Sequence, residues 1–134
     1  MTIQLLIVWL VTVLSTSTLA KLDREKIDIA HHAYNGAIEQ GIDPKKFVKL
    51  IECESRFEKN AKGDWRSEEN RYLSFGALQF QKPTFDKFSK IYRVQGKHLD
   101  PYTQIDLATQ MIGNDGWEHW FNCGKKVGYT DSKF

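Results

Sequence analysis

The run Asp43-Pro44-Lys45-Lys46-Phe47-Val48-Lys49-Leu50-Ile51-Glu52-Cys53-Glu54-Ser55-Arg56-Phe57 is where the chain declares its architecture. Asp43 can cap free N–H groups with its carboxylate, and Pro44 presets φ for a first helical turn. A helix therefore starts there, and its apolar spacing carries it to about Phe57. On a 3.6-residue wheel Phe47, Leu50, Ile51, Cys53, Glu54 and Phe57 share one face. Glu54 is the only carboxylate on that face. Glu52 falls near Lys45, Val48 and Lys49 on the wetter side, where a lysine can pair with it. The pattern thus separates two neighbouring glutamates: Glu52 as a surface acid, Glu54 as an acid held against the core.

Outward from this helix the chain continues to read as helical. Leu22 to Gln40 has an amphipathic pattern and Gly41 stands where a C-cap is needed. Glu58 to Leu73 is polar and reads as loop, and Phe75 to Phe80 is a short apolar segment. Pro83 or Thr84 opens a helix reaching about Val94, which Gln95-Gly96-Lys97 breaks. Asp100-Pro101 repeats the start signal and opens a helix to about Ile112. Gly113 to Gly116 is a turn, and Trp117 to Phe121 a short last helix. Period-two alternation is scarce. The predicted fold class is mainly α, with room for a small β-hairpin between residues 58 and 80.

Composition bounds the rest. The 134 residues are 41% hydrophobic and 13% aromatic, enough for one compact core. A formal charge of +2 with no dense Lys/Arg block leaves out the electrostatic footprint of a nucleic-acid binder. Thr2 to Ala20 holds no charged residue, and an apolar run spans Leu5 to Leu14. That run is short of the ~20 apolar residues of a membrane span. Small residues at Thr18 and Ala20 suit cleavage after Ala20. Residues 1–20 are thus expected to be a signal peptide, and 21–134 the single exported domain, with membrane contact only through that segment. The α-amino group alone supplies positive charge before the apolar run, so an uncleaved anchor stays open. In an oxidising compartment the two cysteines, Cys53 and Cys123, read as a disulfide; two buried free thiols are the alternative. His31, His32, His98 and His119 lack any i, i+4 pairing, so neither a metal site nor a cofactor is expected.

A carboxyl turned toward apolar surroundings resists ionisation, so the pKa of Glu54 should rise. A raised carboxyl pKa is what general-acid chemistry near neutral pH requires. A buried glutamate paired with Arg or Lys for structural reasons would fit the same periodicity.

The letters around Glu54 resemble a known family. Cys53-Glu54-Ser55-Arg56-Phe57, Asn60-Ala61, Gly63-Asp64, Ser74-Phe75-Gly76-Ala77-Leu78-Gln79-Phe80 and Thr84 resemble the transglycosylase SLT family of the lysozyme-like superfamily. The Cys before the Glu and the ending Trp120-Phe121-Asn122-Cys123 look like a small disulfide-bearing branch of exported proteins. The likeness spans about Asp43 to Cys123. It implies a lysozyme-like fold and a peptidoglycan lytic transglycosylase, monomeric and sited in the periplasm or at the cell wall. By the same likeness Glu54 is the single catalytic acid/base, and Ser74 and Gln79 line the groove beside it. The chain departs from the pattern at Trp65 to Leu73, which is longer and more charged than the usual link, and in lacking a late Tyr motif. Trp117, Trp120 and Tyr102 could serve as aromatic platforms or as core.

Two other functions stay open. Gly63-Asp64 also resembles the turn of goose-type lysozymes, where an acid helps position water. Asp64 would then make the chain a hydrolase, with the carboxylates roughly 6.5–9.5 Å apart for inversion. Otherwise Asp64 simply bonds its own turn. A non-catalytic wall-binding protein could use the same fold.

Overall fold

The computed structural model describes residues 1–130; residues 131–134 of the expected domain lie outside the described residues. In chain order the elements are α1 (Ile3–Val13), α2 (Thr16–Leu19), α3 (Arg24–Glu39), α4 (Pro44–Ser55), β1 (Lys62–Arg66), β2 (Arg71–Phe75), β3 (Phe80–Gln81), α5 (Lys82–Tyr92), α6 (Pro101–Gly113), a 3₁₀ turn (Trp117–Trp120) and α7 (Phe121–Val127). The fold is mainly α with a small antiparallel sheet ordered β1-β2-β3.

Helix α3 packs on both α4 and α6. Its inward face is Ile29, Ala30, Ala33 and Ala37, all fully buried. Three small alanines in this stripe let α4, through Phe47, Leu50 and Ile51, and α6, through Ile105, Leu107 and Ala108, approach it closely, and all of these residues are fully buried. The two Asp-Pro signals act as expected. Asp43 accepts from the N–H groups of Lys45 and Lys46, and Asp100 from those of Tyr102 and Thr103.

Several boundaries differ from the sequence reading. Helix α4 stops at Ser55, because Arg56 and Phe57 both take left-handed backbone (φ 53° and 64°). Phe57 nevertheless stays in the core at 1% exposure. The hairpin allowed for between residues 58 and 80 is present as β1 and β2, which occupy much of the polar stretch read as loop: Gly63 pairs with Ser74 and Trp65 with Tyr72. The last helical segment is longer than expected and consists of a 3₁₀ turn running into α7. Cys53 lies on the exposed side of α4 rather than on its core face, since α7 meets α4 there through the disulfide. Glu52 meets the N-terminal segment instead of a lysine: its Oε2 accepts from the N–H of Ser15 at 2.9 Å and from its hydroxyl at 3.2 Å.

The N-terminal run forms α1 and α2. Leu6 and Leu10 are fully buried, and Trp9 packs edge-on to Tyr34 with ring centroids 5.1 Å apart. Leu5, Val8 and Val11 point outward and are exposed. Among the described residues no helix is long and apolar enough to cross a membrane.

Cys53 and Cys123 form a disulfide, with Cα atoms 5.8 Å apart and a sequence separation of 70. On the chain-entropy estimate a loop of that length is worth about 4 kcal/mol. Replacing both cysteines by serine should lower the unfolding free energy by roughly 2–4 kcal/mol. Urea titration of the double variant beside the oxidised parent checks this.

Candidate active site

The site is built where the C-terminal turn of α4, the β1–β2 hairpin, the turn after β2 and the Trp117–Cys123 segment meet. Two adjoining depressions, of about 190 and 310 Å³, share a wall made of Asp64, Gln79, His119 and Trp120. Ser74, Phe80, Gln81 and Thr84 complete the first; Glu54, Phe121, Asn122 and Cys123 complete the second. Together they form one open groove.

Glu54 is half-buried in this groove. Among the described residues its carboxyl makes no hydrogen bond and no ion pair with another side chain. Desolvation raises its pKa first, and the negative charge of Asp64 adds to that, from 4.5 for an ordinary glutamate to about 7. A structural ion pair would have driven the value the other way.

Asp64 is not a turn residue satisfying its own backbone. It sits inside β1 with φ 53°, a left-handed conformation that Asp tolerates better than most residues. Strict alternation along β1 would place Asp64 on the face opposite Gly63 and Trp65. The left-handed residue brings its carboxylate to the Ser74 side instead, where the Ser74 hydroxyl donates to Oδ2. Ser74 itself is buried at 2% exposure. Gln79, also left-handed (φ 52°), is committed largely to backbone. Its Nε2 donates to the carbonyls of Gly76 at 2.9 Å and Ala61 at 3.2 Å. Its Oε1 lies against the bare Cα of Gly63, where a Cβ would collide with it. Gln79 therefore shapes the groove and offers it at most an acceptor.

Two contributors escaped the sequence reading. Gln104 of α6 is fully buried, and its amide holds the turn after β2. Its Oε1 accepts from Leu78 N–H at 2.9 Å, while its Nε2 donates to the carbonyls of Phe75 (2.9 Å) and His98 (2.8 Å). Gly76, at φ 87°, leaves the space that this amide occupies. The one clue in the sequence is an amide on the otherwise apolar stripe of α6. From the other side the Trp120 indole N–H donates to Leu78 O at 2.8 Å, so Trp120 is core and groove wall together. Trp117 is buried, and Tyr102 stands away beside His32. His119 borders both depressions and packs edge-on to Phe88, with centroids 4.8 Å apart. Desolvation, then the charge of Lys87, lower its pKa, which favours neutral imidazole in the groove. No local periodicity predicts His119, because only the tertiary fold brings it near Glu54. Among the described residues no group of three or more His, Cys, Asp and Glu side chains converges to hold a metal ion.

Replacing Gln104 by Leu would remove its hydrogen bonds to one N–H and two carbonyls. The expected loss is roughly 2–4 kcal/mol of stability. Thermal unfolding checks the magnitude, and loss of hydrogen-exchange protection at the Leu78 amide checks the location.

No curated protein and no solved structure gives a significant match to the chain. Residues 32–115, more than half of the chain, match the Transglycosylase SLT domain, and they include Glu54, Asp64, Ser74, Gln79 and Gln104. The chain therefore belongs to the transglycosylase SLT domain family of lytic, lysozyme-like enzymes.

Proposed function

We propose that this protein is a peptidoglycan lytic transglycosylase that uses Glu54 as its only acid/base. The observation that carries the proposal is a glutamate carboxyl in an open groove, without a cationic partner, with a pKa pushed up to about 7. At neutral pH a large share of such carboxyls still hold the proton that a leaving glycosidic oxygen needs.

The reaction balances on that one group. Glu54 gives its proton to the oxygen between N-acetylmuramic acid and N-acetylglucosamine as the bond to the anomeric carbon breaks. The carboxylate then accepts the proton of the muramyl C6 hydroxyl as that oxygen closes on the anomeric carbon. Glu54 ends protonated, no water is consumed, and a 1,6-anhydromuramyl end is left. A single carboxyl suffices because the substrate supplies its own nucleophile, whereas most glycosidases need two carboxylates. Asp64 keeps Glu54 protonated by its charge, Ser74 orients Asp64 through its hydroxyl, and Gln79 leaves Oε1 as an acceptor for sugar groups.

Hydrolysis is the second reading, and Asp64 is what favours it. Its carboxylate shares a depression with Glu54 and could hold a water in place of the C6 hydroxyl. The wider setting is part of the same proposal: residues 1–20 direct export, their removal after Ala20 taking Leu6 and Leu10 out of the core described above, and the monomeric domain acts at the cell wall.

Mass analysis of muropeptides released from sacculi separates the readings. Anhydro ends, lighter by one water, are expected; reducing ends would make the protein a lysozyme, and no products a wall-binding protein. Glu54→Gln should lower the rate about 10²–10⁴-fold without loss of thermal stability.

The pH dependence has a definite sign. Glu54 must be protonated to act, so the rate should fall as pH rises through about 7. Because folding raises this pKa, the folded state binds the proton more tightly than the unfolded chain. The associated stability is fully present below pH 4.5 and is lost as pH rises through about 7. In Asp64→Asn the charge that helps raise the pKa is gone, so the alkaline limb should move to lower pH. A rate–pH profile of parent and variant, with His119 as the other titrating group bordering the groove, reads both effects.

A further inference from the structure

The β1–β2 hairpin holds an aromatic pair outside the packed interior. Trp65 and Tyr72 stand opposite each other in the register, with ring centroids 4.9 Å apart at an interplanar angle of 66°. They remain 53% and 40% exposed. With this edge-on arrangement and exposure, ring face is left uncovered.

Their placement is fixed by the strand. Side chains two residues apart on a strand share a face, so Tyr72 projects from the same face as Ser74, which lines the groove. The opposite face, with Arg71, Leu73 and Phe75, borders a separate depression. At the usual rise per residue the aromatic pair stands roughly 7 Å beyond Ser74 along the hairpin. The pair brackets the charged stretch between Trp65 and Tyr72.

We propose that Trp65 and Tyr72 form an aromatic platform for one pyranose ring of the glycan strand, at the hairpin end of the groove. The apolar C–H face of a β-linked pyranose packs on such rings, while the indole N–H and phenol O–H can reach its hydroxyls. This rests on the groove being a glycan site. It adds a binding position remote from Glu54, which fixes how long an oligomer must be to gain full affinity.

The test uses the Glu54→Gln chain, so that ligands survive, with N-acetylglucosamine oligomers from the dimer to the hexamer. Trp65→Val keeps a strand former opposite Tyr72 but removes the ring; Trp65→Phe keeps a ring. Affinity for the hexamer should fall about tenfold in Trp65→Val and recover in Trp65→Phe, with the dimer unaffected by either change. Hexamer binding by Trp65→Val equal to that of the Glu54→Gln chain overturns the platform, as does equal weakening for dimer and hexamer. The proposed activity is read separately from sacculi treated with the unsubstituted chain. Sacculi left intact despite Trp65-dependent hexamer binding would overturn the activity and keep the platform.

Discussion

The groove depends on one buried amide. Gln104 projects from α6 and ties together three backbone groups: the N–H of Leu78 in the turn after β2, the carbonyl of Phe75 at the end of β2, and the carbonyl of His98 in the loop before α6. Trp120 takes the carbonyl of the same Leu78 whose N–H the glutamine accepts. Backbone removed from water must find such partners, since each unpaired group is expensive in the interior. With both directions of Leu78 fixed, β2 and β3 are held on either side of the turn, and Ser74 and Gln79 stay fixed relative to α6. A side chain with no chemistry of its own thereby sets the position of those that have it.

Glu54 shows the complementary case of a polar group left without a partner. Desolvation and the nearby Asp64 both penalise its ionised form, and no lysine or arginine among the described residues offsets them. An isolated acid in that setting keeps its proton instead of its charge. Asp64 is tolerated beside it because its own carboxylate takes the Ser74 hydroxyl. The asymmetry between the two acids, one unpartnered and one hydrogen-bonded, is a common way for neighbouring carboxyls to be assigned different roles.

The disulfide matters to the groove as well as to stability. Cys53 directly precedes Glu54, and Cys123 borders the same depression. The bridge ties the wall formed by Trp120 to Cys123 to the helix that presents the acid. Helix α7 has only seven residues and no side-chain cap at its start, so little in its own sequence holds it there.

The residues alone determined the helical framework and the candidate acid. Asp43-Pro44 and Asp100-Pro101 carry helix starts in their own chemistry, and a 3.6-residue period put Glu54 among Phe47, Leu50 and Ile51. These are local properties, set by capping and by spacing along the chain. The strands of residues 62–75 were legible only as room for a hairpin between 58 and 80, because their two faces are mostly wet and no apolar alternation fixes their bounds. Only the tertiary structure decided that Asp64 turns to Ser74, that Gln79 serves the backbone, and that Gln104 and His119 belong to the groove. Each of those outcomes depends on a partner far away in sequence. A hydrogen bond or a shared cavity between such partners exists only once the helices have packed, and periodicity carries no record of it.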